Sequence, residues 1–250
     1  IAEVATFLVP LMGSIYFGAM IVALMLNLNL VLPAFKLIFV DAFNGTAIAG
    51  GTFFGVLIYG VRRGAFSNEA GMGTESLVHG VARVSDPVKQ GLVAMTGPIF
   101  DTLIICTATA LMILVSGVWE TSSSQGVTLT AEAFSILLGN FGGLILFVSV
   151  ICFGLSTIFT YSYYGASCSR FLFGKFGMKF YIYLYILSIF IYSIVPIDIA
   201  INIADGAFAM MAIPTLISAL WLAPKVMQAS KNYFKPVSYT HLTLPTKWTV

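Results

Sequence analysis

The sequence predicts an all-α integral membrane protein, and three observations carry that expectation. Of 250 residues, 59% are hydrophobic and 9% charged, whereas an average globular chain is about a quarter charged. The mean hydropathy is +0.97. Stretches free of Asp, Glu, Lys and Arg recur at 4–35, 42–61, 102–119, 133–169, 180–197 and 206–224. With 12 Lys+Arg and 10 Asp+Glu, the chain has too few charges to cover a folded surface in water, so lipid is its main solvent. A net charge of +2 is too small for a nucleic-acid footprint. Cys106, Cys152 and Cys168 make neither a disulfide framework nor a ligand-spaced metal motif.

A spanning helix needs about 20 mainly apolar residues. The stretches accordingly predict about six transmembrane helices, at 4–26, 44–63, 90–116, 134–164, 179–197 and 199–224. A short segment with Pro33 follows the first. Charge placement tests the count independently. Arg62, Arg63, Arg83 and Lys89 fall between spans two and three, and Arg170, Lys175 and Lys179 between four and five. Lys225, Lys231 and Lys235 follow span six, while the opposite loops carry only Lys36. Alternate threading puts every basic cluster on one face, which the positive-inside rule makes cytoplasmic. The expected location is the cytoplasmic membrane, with both ends of the chain inside.

The first residues lack the charged region and cleavage site of a signal peptide. The chain opens at Ile1 almost directly into a span, which reads as truncation. Residues 237–250 depart abruptly from the hydrophobic pattern and read as a non-native tail, leaving 1–236 as the transmembrane domain.

Several features exceed what spanning a membrane requires. Gly50, Gly51 and Thr52 lie in the middle of span two, beside Phe53 and Phe54. Glycines at that depth either break the helix, exposing backbone to a ligand, or form a small-residue packing face. In span four, Ser156 and Thr160 share one helical face, adjoined by Thr157 and Tyr161. Their hydroxyls either replace part of the hydration shell of a hard cation such as sodium or bond back to carbonyls one turn earlier. Asp101 opens span three, and an ionisable residue inside a span marks a pathway or a partner. Asp205 and Asn202 in span six raise the same question. A catalytic dyad of Asp101 and Asp205 would need close carboxyls, which nothing in the spacing demands. His79 reads as a satisfied loop histidine. Phe180, Tyr181, Tyr183 and Tyr185 read as an interfacial aromatic belt.

The loop Arg62-Arg-Gly-Ala-Phe-Ser-Asn-Glu-Ala-Gly-Met-Gly73 places three glycines, an Asn and a Glu beside two arginines. That composition suits a hinged gate with Glu69 pairing Arg62 or Arg63, or arginines that only set topology. The run GVRRGAFSNEAGMGTESLVHGVARVSDPVKQG, followed by FDTLIICTATALMIL, resembles the alanine/glycine:cation symporters, the sodium:alanine symporter family. LSTIFTYSYYG and INIADGAFAMMAIPTLISAL extend the resemblance over about residues 1–236.

The resemblance implies the inverted-repeat transporter fold of five plus five helices within the amino acid–polyamine–organocation superfamily. Residues 4–26 would be the last helix of the first repeat, and spans two to six the second. It implies sodium as coupling ion, no other cofactor, no catalytic residues, and a small neutral amino acid as substrate. Ser156 and Thr157 fall on the family's sodium-ligand pair. Gly50, Gly51, Thr52 and Phe53 fall at the broken helix that meets substrate. Thr160 and Tyr161 replace the family's frequent Gly-Trp, which alters the pocket roof. Asp101, Ser67, Asn68 and Glu69 take gating or coupling roles.

Overall fold

A computed structural model describes residues 2–43, 52–69 and 71–242, with side chains described over 9–43, 54–69 and 71–235. The secondary structure among them is helical. The elements are α1 (Ala2–Leu26), α2 (Leu28–Ala42), α3 (Thr52–Asn68), α4 (Thr74–His79) and α5 (Pro87–Ala94). A π-helical segment (Ile99–Cys106) follows, then α6 (Thr107–Ser116), α7 (Val118–Thr121), α8 (Val127–Leu138), α9 (Asn140–Ile194) and α10 (Ile197–Leu242). Among the described residues, Val9–Leu26, Pro87–Ser116, Asn140–Ile194 and Ile197–Lys235 are long and apolar enough to cross a bilayer. The chain is a multi-pass membrane protein. Phe141, Phe147, Leu220 and Trp221 lie well exposed on these helices, an arrangement that water would penalise and lipid does not.

The 55 residues of α9 would measure about 80 Å if straight. They are not. Gly174, at φ 67° and ψ −155°, interrupts the helical backbone. The Tyr185 hydroxyl donates to the Ile158 carbonyl at 2.8 Å, whereas one continuous helix would hold these residues about 40 Å apart. The chain therefore doubles back near Gly174, beside Arg170, Lys175 and Lys179. Tyr181 packs against Gly165, where a Cβ would run into its ring. The expected aromatic belt thus divides by role. Tyr183 and Phe180 are exposed, while Tyr181 and Tyr185 tie the two halves of α9 together.

The chain forms two compact units, Ile1–Gly64 with Phe100–Val195, and Ala65–Ile99 with Pro196–Val250. The core of the first unit gathers Met20 and Ala23 of α1, Met112 of α6, Phe134 of α8 and Leu146 of α9. Tyr16 stacks on Phe134 with ring centroids 5.4 Å apart. A second cluster joins Ala34 of α2 to Leu111 and Val115 of α6.

Several boundaries differ from the sequence reading; residues 62–68, read as loop after a span ending at 63, form the last turns of α3. The segment with Pro33 is a 15-residue helix, α2, whose Ala34 is buried. The span expected at 134–164 begins instead at Asn140, because Gly139 (φ 65°, ψ −155°) separates it from α8. Gly142 then lets α9 pass so close to the Phe134 carbonyl that any Cβ there would collide with it. The last helix runs to Leu242 rather than ending near 224.

In the second unit, Asp86 caps α5. Its carboxylate accepts the Val88 N–H at 2.8 Å, and Pro87 occupies the first turn, where the missing N–H costs nothing. Gln90 Nε2 donates to His79 Nδ1 at 2.7 Å, so His79 is the satisfied histidine that its setting suggested. The loop after α3 lies along α10. Phe66 meets Phe208 with centroids 5.4 Å apart, and a Cβ on Gly73 would fall 2.7 Å from Thr215 Oγ1.

Candidate functional site

Ser149, Ser156 and Thr160 recur along the first half of α9 at spacings that keep them on one face. Ser149 and Ser156 are 6% and 7% exposed, on a helix whose neighbouring Phe153 is 61% exposed. Ser149 and Ser156 are thus turned inward with Leu146, while Phe153 is turned outward. Each hydroxyl donates within its own helix. Ser149 bonds the Ile145 carbonyl, Ser156 the Phe153 carbonyl and Thr160 the Ser156 carbonyl, all at 2.8 Å. This is the back-bonding alternative, but it does not compete with cation binding. A donating hydroxyl keeps its lone pairs, and a cation needs lone pairs rather than protons. Thr157 is half-buried beside this face. The Tyr161 ring lies 5.5 Å from that of the buried Tyr164.

Of the expected substrate groups, Gly50 and Gly51 lie outside the described residues, and Thr52 and Phe53 open α3 with their side chains also outside them. Phe54 is exposed.

Asp101 sits in the π-helical segment, a geometry that recurs at functional positions. It is half-buried and lines a cavity of about 510 Å³ in the first unit, together with Tyr16, Thr130 and Ser149. Tyr16 and Thr109 hydroxyls are 3.0 Å apart. Thr109 Oγ1 also lies 2.9 Å from the Ile105 carbonyl, to which it can donate. Sequence reading passed over Tyr16, Thr130 and Ser149. The seven-residue interval from Ser149 to Ser156 could have flagged Ser149; nothing local singles out the other two.

Ser67 and Asn68 end α3, and Glu69 follows at φ 53°, a left-handed conformation that favours glycine. Gly71 and Gly73 also take positive φ, 78° and 91°. The Gly71 N–H donates to the Glu75 carboxylate at 3.3 Å, and Thr74 is 2% exposed. Asp205 of α10 is buried, 4% exposed. These residues belong to the second unit, and Asp101 with the α9 face to the first.

Among the described residues, Glu132 of α8 is a titratable group outside the spans whose surroundings shift it. Hydrogen bonds from Ser122 and Ser124 hold its carboxyl below the ordinary value of 4.5, and the Ser124 hydroxyl donates to it at 2.6 Å. No three His, Cys, Asp or Glu side chains converge on a metal position among the described residues.

The profile of the sodium:alanine symporter family matches residues 1–242. The chain is 35% identical to the sodium/alanine symporter AgcS of Methanococcus maripaludis, over 93% of the chain and 52% of that protein. It is 32% identical to the probable sodium/glutamine symporter GlnT of Bacillus subtilis, over 93% and 49% respectively. With the sodium/proton-dependent alanine carrier protein of Bacillus sp. (strain PS3) it shares 29% identity, over 93% and 56%. The chain spans about half the length of the curated relatives it matches. Helices that cross a bilayer, polar groups turned inward along α9 and a match over nearly the whole chain agree: it belongs to the sodium:alanine symporter family, whose members are membrane transporters and not enzymes.

Proposed function

We propose that the chain works in a secondary active symporter that couples sodium entry to uptake of a small neutral amino acid across the cytoplasmic membrane. The observation that carries this reading is the pair of buried serines, Ser149 and Ser156, on one face of α9, a largely apolar helix whose bulky side chains are mostly exposed. Ser156 and Thr157 would offer lone pairs to sodium. Gly50, Gly51, Thr52, Phe53, Thr160 and Tyr161 would meet the amino acid. Asp101, Ser67, Asn68 and Glu69 would couple ion occupancy to gating. The architecture proposed is part of the five-plus-five inverted repeat: within residues 1–236, residues 4–26 would close the first repeat and the later spans would form the second.

In such folds, substrate and ion sites lie between repeats, near the bilayer midplane. A chain spanning about half the length of its relatives would then supply one side of each site. Alternating access follows: sodium orders the broken helix, the amino acid's charged ends meet backbone at helix termini, and one bundle rocks against the other. The membrane potential contributes about 2.3 kcal/mol per charge per 100 mV.

Relatives named for sodium/glutamine and for sodium/proton-dependent alanine transport keep a second reading in view, with another amino acid or with protons as driver. Uptake of labelled alanine, glycine and glutamine into proteoliposomes separates them, under sodium, lithium or proton gradients. The chain would be tested alone and together with the unmatched half of the Methanococcus maripaludis symporter. Saturable, sodium-driven alanine uptake is expected only from the combination. Uptake by the chain alone would refute the shared sites, and uptake indifferent to sodium would refute the coupling.

A further inference from the structure

The loop between α3 and α4 lies on α10 within the second unit, and packing rather than hydrogen bonding holds it there. Met72 is 4% exposed, Phe66 meets Phe208, and Gly71 and Gly73 bring the backbone against Leu216 and Thr215. The loop's own hydrogen bonds are long. The Glu69 N–H donates to the Phe66 carbonyl at 3.4 Å and the Met72 N–H to the Glu69 carbonyl at 3.2 Å. The Gly71 N–H reaches the Glu75 carboxylate at 3.3 Å, where about 2.9 Å is usual.

Two features work against this seat. Glu69 holds φ 53°, a region that side chains disfavour. Thr74 is 2% exposed, and its hydroxyl oxygen is buried with no hydrogen-bond partner among the described residues. The buried hydroxyls of α9 avoid that cost by bonding a carbonyl about one turn earlier. Thr74 has no such carbonyl. It is the first residue of α4, and left-handed Gly73 precedes it, so no helical turn lies beneath its side chain. The Gly73 carbonyl already accepts from the Ser76 hydroxyl. A hydroxyl buried without a partner forfeits the bonds that it makes in water, and Thr74 regains them when the loop leaves α10. The hydroxyl therefore weakens the seated loop and costs nothing in a lifted one. The oxygen is enclosed by the chain's own atoms, so this balance does not depend on what covers the outer surface.

We propose that the loop between α3 and α4 is a strap poised between seating on α10 and lifting from it, with the Thr74 hydroxyl tilting the balance toward lifting. Met72 is the apolar anchor of the seated form, and Gly73 admits the close approach to Thr215. The strap deepens the gating role proposed for Ser67, Asn68 and Glu69, and it rests on that reading only for what the movement serves.

The test is amide hydrogen exchange of the whole chain in nanodiscs, which reads local opening directly. It needs no transport: exchange decides the strap and the uptake assay decides the gating, so the two can fail separately. The probes are the Gly71 and Met72 amides, compared with amides of α6 after correction for intrinsic rates. In the unaltered chain the loop amides are expected to exchange at least about tenfold faster than those of α6. Thr74→Val keeps the shape and removes the hydroxyl, so loop exchange should slow about fivefold with α6 unchanged. Thr74→Ser keeps the hydroxyl and should not slow it. Met72→Ala removes the anchor and should quicken it about tenfold or more. Loop amides as protected as α6 in the unaltered chain would overturn the proposal. So would Thr74→Val exchange as fast as the unaltered chain, equal slowing by Thr74→Ser, or a Met72→Ala loop that exchanges no faster. Thr74→Val changes the shape least, so it decides even if Met72→Ala does not fold.

Discussion

The hydroxyl face of α9 and the loop between α3 and α4 are both polar interruptions in an apolar chain, yet they are built in opposite ways. Along α9 before Gly174 the backbone is regular and side chains carry the chemistry. Ser149, Ser156 and Thr160 each donate inside their own helix, which removes the cost of burying a proton donor and leaves lone pairs to lend. In the loop the backbone carries the chemistry. Glu69, Gly71 and Gly73 all adopt positive φ, and Gly73 lets the chain approach Thr215 more closely than any side chain would permit. The difference teaches where each region is vulnerable. The helix face should tolerate loss of a hydroxyl in stability and suffer in ion binding, whereas the loop should suffer in stability first.

The sharpest way to break this comparison is Gly73→Ala. A left-handed backbone and an overlap with Thr215 together should cost about 2–4 kcal/mol, read as a lower thermal midpoint in nanodiscs. Gly91→Ala, in α5 with open space around it, should instead be neutral or stabilise by up to about 1 kcal/mol. Similar losses at both sites would mean the loop's backbone is not special.

Next in size is Gly165→Ala, which drives a methyl group into Tyr181 across the α9 hairpin. A cost of about 1–3 kcal/mol is expected. In a Tyr181→Ala background most of it should vanish, a coupling that a double-mutant cycle measures. Additive losses would mean the two halves of α9 do not meet there.

A smaller effect concerns α8, set between positive-φ Gly126 and Gly139. Glu132 is held below its ordinary value by Ser122 and Ser124, so the folded form binds its proton less readily than the unfolded one. Its contribution is complete above about pH 4.5 and fades as pH falls through the depressed folded value. Amide exchange in α8 should therefore quicken below pH 4.5 relative to α6, and Glu132→Gln should flatten that dependence. An α8 whose exchange tracks α6 at every pH would dismiss the contact.

Much of the fold was legible because its signals are local and redundant. Charge-free stretches overlap the four helices long and apolar enough to cross a bilayer among the described residues. These are fewer than the six expected, because two expected spans share α9 and the one at 44–63 is not among the four. Arg170, Lys175 and Lys179 marked the fold-back that Gly174 makes. The start of α9 was not legible, since 133–169 carries no charge and only the conformation of Gly139 divides it. The segment with Pro33 was not read as a helix; in α2 Pro33 is an interior residue, so the helix forms although one backbone hydrogen bond is forgone there. For the site, the spacing of Ser156 and Thr160 was enough to put them on one face. Tyr16 and Thr130 were out of reach. What brings them to Asp101 is the packing of α1 and α8, a long-range property that no short motif encodes.

The central claim, that the α9 face lends its hydroxyl oxygens to sodium, meets its most direct test in the sodium dependence of alanine uptake. The measurement would compare Thr157→Ala and Ser156→Ala with the unaltered chain, each paired with the unmatched half of the Methanococcus maripaludis symporter. Both variants should need several-fold more sodium for half-maximal uptake, since one lost ligand of about 1 kcal/mol is worth roughly fivefold. Thermal midpoints should stay near that of the unaltered chain. Sodium curves that superimpose on the unaltered one, from variants that still transport, would contradict the account.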